Sequence, residues 1–60
     1  MRLYGRKHCH LCERMAQALR ARGVPFEEID VDADPALRKR YGERVPVLTD
    51  AEGNELGQIP

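Results

Sequence analysis

Residues 1–23 read MRLYGRKHCHLCERMAQALRARG. Met1 to Tyr4 can form a short strand, which Gly5 ends. Arg6 to His10 is a polar, basic loop. From Leu11 to Arg22 the pattern turns helical: Leu11, Met15, Ala18 or Leu19 and Arg22 recur at spacings of three and four. Ala16, Ala18, Leu19 and Ala21 add helix propensity. Gly23 suits the position just past the helix end, and Arg20 and Arg22 suit the negative end of its dipole. A strand, a loop carrying Cys9 and a helix with Cys12 in its first turn are thus the first half of a βαβ unit.

The rest of the chain completes that unit and extends it. Val24-Pro25-Phe26 opens a second extended run, in which Phe26, Glu28 and Asp30 alternate with Glu27, Ile29 and Val31. The density of acids suggests an edge strand or one with a wet face. Asp34-Pro35 reads as an N-cap followed by proline at the first helical position. A short helix follows from Ala36 to Tyr41, and Gly42 stops it. Val45 to Leu48 is a third strand, entered through Pro46. Asp50 to Asn54 is a turn cluster, after which Glu55 to Ile59 can return as a fourth strand. The order βαβαββ implies a parallel first pair with a right-handed crossover. The predicted architecture is a single α/β domain over residues 1–60: a mixed four-stranded sheet with helices packed on it.

Composition bounds the function. A domain of 60 residues buries only about 60% of the surface its unfolded chain exposes. A disulfide between Cys9 and Cys12 would close too short a loop to staple such a fold. Ten basic and ten acidic residues give a net charge of zero, which argues against nucleic acid as a partner. No apolar run approaches the ~20 residues a membrane span needs. Met1 to Gly5 lack the apolar core of a signal peptide. The expected location is therefore cytoplasmic and reducing. There a Cys-x-x-Cys pair points to catalysis or metal binding.

Chemistry converges on Cys9-His10-Leu11-Cys12. At a strand-to-helix junction, free N–H groups and the positive end of the helix dipole favour an anion. Arg6, Lys7, His8 and His10 reinforce this, so the Cys9 thiol should ionise below its unperturbed pKa of ~8.5. Cys9 is the predicted nucleophile. Residues three apart on a helix are neighbours at about 5–6 Å between Cβ atoms, so Cys12 can resolve a mixed disulfide on Cys9. His10, between the cysteines, is placed to tune the thiolate. Two other readings use the same residues: a binding module with an idle dithiol, and a zinc or copper carrier using His8, Cys9, His10 and Cys12. The metal reading lacks a second, separated ligand pair, and Glu13 after Cys12 excludes the haem-attachment pattern. Arg38-Lys39-Arg40 reads as a solvated helix face. The acids from Glu27 to Asp34 lack the glycine and terminal glutamate of a calcium loop.

Taken together, Leu3-Tyr4, the basic loop, Cys9-His10-Leu11-Cys12, Asp30 to Leu37 and Arg40 to Leu48 resemble glutaredoxin-like proteins of the thioredoxin superfamily. The resemblance is to a small bacterial subfamily without Pro-Tyr between the cysteines. It implies a thiol–disulfide oxidoreductase with Cys9 attacking and Cys12 resolving. It implies a cis Val45–Pro46 bond facing the dithiol, where the Val45 backbone pairs with a peptide or glutathione in the manner of an added strand. It also places Arg6 against a glutathione carboxylate. Arg6, His10, Val45 and Pro46 are thus the expected substrate contacts, a protein disulfide or glutathione the expected partner, and no bound cofactor is expected. Glu55-Leu56-Gly57-Gln58 lacks the glycine-rich motif that binds the other end of glutathione. The family's further C-terminal helix has no counterpart before Pro60, so two expectations stand: an uncovered sheet face that would favour self-association, or a chain that is a fragment of a longer protein.

Overall fold

A computed structural model describes all residues from Met1 to Pro60. Its elements in chain order are β1 (Arg2–Gly5), α1 (His10–Ala21), β2 (Glu27–Asp30), a 3₁₀ turn (Val31–Ala33), α2 (Pro35–Tyr41) and β3 (Val47–Thr49). β1 lies in the centre of a three-stranded sheet ordered β2-β1-β3. It runs parallel to β2 and antiparallel to β3.

Successive residues of a strand point to opposite faces, and the register uses this to build two half-cores. Leu3 is paired with Leu48; both are buried and join Ala16 and Leu19 of α1 on one face. Tyr4 is paired with Val47 and joins Val31 and Tyr41 on the other. There the Tyr4 and Tyr41 rings stack at a tilt, with centroids 4.6 Å apart. α1 therefore covers one face, and the 3₁₀ turn with α2 covers the other. Leu11 is the one large apolar side chain left exposed.

Most local signals hold. α1 starts one residue earlier than the periodicity suggests. It is capped by Cys9 and ended by Arg22, with Gly23 in the left-handed region at φ 69°. Asp34 caps α2 through a 2.9 Å bond from the Ala36 N–H, and Pro35 occupies its first turn.

The predicted fourth strand is corrected. Beyond the Asp50 turn, only Glu55 makes a β-bridge, to Thr49, and Leu56 donates one bond to the Leu48 carbonyl at 2.8 Å. Gly57 then offers no side chain to pack and Pro60 no N–H to donate, so pairing does not continue. Val31, read as the end of the second strand, instead begins the 3₁₀ turn, whose N-cap is Asp30, bonded to the Asp32 N–H at 2.9 Å. β3 begins after Pro46 and not at Val45.

Candidate active site

Both cysteines are positioned by the junction between β1 and α1. Cys9 is the N-cap of α1, with extended backbone at φ −104° and ψ 107°. Its carbonyl accepts from the Glu13 N–H at 3.1 Å, which closes the first helical turn. Its sulfur accepts from the Cys12 N–H at 3.2 Å. The thiol thus fills the place that a Ser or Asp oxygen usually takes at an N-cap, and a negative charge there is favoured by the free N–H groups of the first turn. Cys12 lies one turn in, 8% exposed. The Cα atoms are 5.3 Å apart and the two sulfurs are paired as a disulfide.

The loop leading to Cys9 is held from both ends. Before it, Gly5 closes β1 and lies directly under Cys12. A Cβ built on Gly5 would stand 3.1 Å from both the Cβ and the Sγ of Cys12. At its far end, His8 adopts φ 62°, a left-handed conformation that reverses the chain before the cap. Lys7, His8 and His10 are exposed, and Cys9 is half-buried between them.

Arg6 does not stand free as a carboxylate contact. Its Nε and Nη2 donate to the two Asp32 carboxylate oxygens at 3.1 and 2.6 Å, and its Nη1 donates to the Gly42 carbonyl at 3.0 Å. This fork ties the cysteine loop to the 3₁₀ turn and to the end of α2. It holds the Asp32 carboxyl below the usual carboxylate range, chiefly through the Arg6 hydrogen bond, and raises Arg6 in turn.

The Val45–Pro46 peptide bond is cis, and both residues are half-buried. Val47 pairs with Tyr4 in antiparallel register and Gly5 lies against Cys12, so the cis-proline segment and the cysteine pair lie toward the same end of the sheet. A groove of about 460 Å³ runs from this end between α1 and β2, lined by Cys12, Lys7, Gln17, Arg20, Glu28 and Asp30 among others. Its walls combine charged side chains with the apolar surface of Leu3, Ala16 and Ile29. No three His, Cys, Asp or Glu side chains are gathered closely enough to hold a metal ion, so His8, Cys9, His10 and Cys12 do not converge as a ligand set.

Sequence reasoning brought forward Cys9, Cys12, Arg6, His10, Val45 and Pro46, of which Arg6 is bound by Asp32 and Gly42. It missed Gly5, Asp32 and the Gly42 carbonyl. A glycine ending a strand immediately before a cysteine loop was a signal for Gly5. Nothing local marks Asp32, which meets Arg6 from 26 residues away.

Comparison with known proteins agrees with this fold. The chain is 36% identical over 62 residues to N-acetyl-S-hydroxy-L-cysteine reductase of Bacillus subtilis (strain 168), a match covering 95% of this chain and 67% of that protein. It is 48% identical to the structural genomics target XcR50 of X. campestris. The crystal structure of that protein superimposes with a TM-score of 0.82 over 92% of this chain and 75% of that one. The solution structure gives 0.76 over 92% and 72%. The glutaredoxin-like domain (DUF836) matches residues 1–58. With a thioredoxin-like sheet, a dithiol at a helix N-terminus and that match over nearly its whole length, the chain belongs to the glutaredoxin-like (DUF836) family.

Proposed function

We propose that this protein is a thiol–disulfide oxidoreductase whose Cys9–Cys12 dithiol reduces a sulfur–sulfur bond, or an equivalent oxidised cysteine, in its substrate. The observation that carries this reading is the Cys9 sulfur serving as the N-cap of α1, where it accepts the Cys12 N–H. In the first step the Cys9 thiolate attacks a substrate sulfur, forming a mixed disulfide and expelling the other sulfur as a thiolate that takes a proton from solvent. In the second, the Cys12 thiolate attacks the Cys9 sulfur. The remaining substrate thiolate leaves, and two electrons have passed from the dithiol, now a disulfide, to the substrate. An external thiol such as glutathione regenerates the pair, with no tightly bound cofactor in the cycle. The location in which the dithiol would be kept reduced is the cytoplasm.

The Val45 backbone beside the cis bond is the proposed docking edge for the substrate's cysteinyl segment, and His10, exposed at the start of α1, is a further proposed contact. Arg6 is already engaged by Asp32 and Gly42, so Lys7, exposed beside it, is the cation open to an anionic substrate end. Protein disulfides and glutathione mixed disulfides both fit this scheme. So does an S-hydroxycysteine of the kind named in the Bacillus subtilis relative, where hydroxide, protonated to water, is the leaving group of the first step. Substrate turnover by the reduced chain is the test, together with the pH profile of Cys9 alkylation. The expected profile has an apparent pKa well below 8. Cys9→Ser should abolish turnover, and Cys12→Ser should accumulate a mixed disulfide visible by mass spectrometry. An alkylation rate that rises only near pH 8.5, with no turnover of any of these substrates, would sink the reading.

A further inference from the structure

We propose that Gly5 positions the resolving thiol: the missing side chain at the end of β1 is the space in which the Cys12 sulfur must sit to close the disulfide with Cys9. This rests on the dithiol reading above and adds a residue outside the Cys-x-x-Cys segment to it. Gly5 is not a glycine for reasons of backbone. It ends a regular strand in register with Asp30, and its φ is not among the positive ones. An L-residue could adopt that conformation, and glycine inside a strand is less favourable than alanine. In strands, glycine often marks a close approach by another group. Here that group is defined. Within 4 Å of a Cβ at Gly5, setting aside its chain neighbours, stand two atoms, Cys12 Cβ and Cys12 Sγ, both at 3.1 Å.

The consequence differs between the two redox states. In the disulfide, Cys12 Sγ is tied to Cys9 and cannot turn away from β1. In the dithiol, Cys12 can rotate about its Cα–Cβ bond and swing Sγ clear, so that only the contact with Cys12 Cβ, common to both states, remains. A methyl group on residue 5 therefore disfavours the oxidised form more than the reduced one. It also obstructs the second step, in which Cys12 attacks the Cys9 sulfur, and leaves the first, made by Cys9 alone, untouched.

Gly5→Ala tests this. The chain is equilibrated with mixtures of reduced and oxidised dithiothreitol. The expected result is a roughly tenfold shift of the equilibrium towards the dithiol, equivalent to about 30 mV for a two-electron couple. Resolution of a mixed disulfide preformed on Cys9 should slow by about tenfold. The pH profile of Cys9 alkylation should stay unchanged, which a general loosening of the fold would not allow. An equilibrium within twofold of the parent's overturns the proposal, and so does a parallel loss in attack and resolution. If Gly5→Ala does not fold, Gly5→Ala combined with Cys12→Gly should, because both atoms the methyl would meet are then gone; failure of that pair to fold also overturns it. The equilibrium measurement needs no substrate, so a parent chain inert towards substrates would count against the proposed function and leave this result to be read separately.

Discussion

His8 and Gly23 both stand in the left-handed region, at φ 62° and 69°, one just before α1 and the other just after it. Glycine does so freely, whereas an L-residue is disfavoured there by about 1–2 kcal/mol. A β-branched side chain fares worst, so His8→Val should lower stability by about a further 1 kcal/mol, and His8→Gly should hold or raise it. Urea denaturation of the three chains decides this. Thr49 presents the opposite situation, a side chain whose backbone is at ease and whose polar atom is not. It is fully buried, and its Oγ1 makes no hydrogen bond within the protein. A buried polar group without a partner is destabilising by about 1–3 kcal/mol. Thr49→Val, which keeps the shape and removes the hydroxyl, should therefore raise the unfolding free energy by about 1 kcal/mol; a fall would mean that the hydroxyl is satisfied. Neither site was legible beforehand. The turn at His8 follows from where the loop must deliver Cys9, and the burial of Thr49 follows from the register of β3.

Helix ends were the most legible elements, because their chemistry is local. Asp34-Pro35 and Arg22-Gly23 each carry their own stop or start signal, and both act as read. The cap at Asp34 serves two elements, since the 3₁₀ turn ends on the residue from which α2 begins. Asp34→Ala removes the bond to the Ala36 N–H and should reduce stability by about 1 kcal/mol, with a loss of helical ellipticity in far-ultraviolet circular dichroism. Strands were read less well, since a strand exists only where a partner accepts it. Glu55 to Ile59 has an extended pattern, yet only its first residue bridges β3. The 3₁₀ turn escaped notice because its signal, Asp30 capping Asp32, interrupts an alternation that otherwise continues to Val31. The dithiol was legible as chemistry from four adjacent residues. Its setting was not, because Gly5 and Cys12, or Arg6 and Asp32, meet only after folding.

Across the whole molecule, the ion pairs join elements and not neighbours. Arg6–Asp32, Arg20–Glu28 and Arg44–Glu55 are all solvent-accessible. Arg44 also lies over the Tyr41 ring, 5.6 Å from its centroid. The Arg44 hydrogen bond holds Glu55 below the usual carboxylate range, as Arg6 does for Asp32 and the Asn54 side chain does for Asp50. Unfolded, these carboxyls take up protons near their ordinary values of ~3.9 and ~4.3; folded, they do so only at lower pH. Their contribution is therefore fully present above about pH 5 and lost as acid titrates the folded chain, below about pH 4. The unfolding temperature should be level from pH 5 to 7 and fall below pH 4, and Asp32→Asn should fall less steeply. A loss of stability already between pH 7 and 5 would show that these three carboxylates do not set the pH dependence.

The central place of β1 has a consequence for how the molecule comes into being. Of the three strands β1 is made first, yet it needs a neighbour on each side, and the second of these, β3, is made after both others. Until Val47 to Thr49 have emerged, one edge of β1 has no partner and is open to any other extended chain. Cys9 and Cys12 are meanwhile displayed beside a sheet that lacks its third strand. The newborn chain thus carries its reactive sulfurs on an unfinished sheet. Synthesis that stalls before residue 47 should yield a species prone to stray pairing and stray disulfides, and the finished sheet removes both hazards in one step.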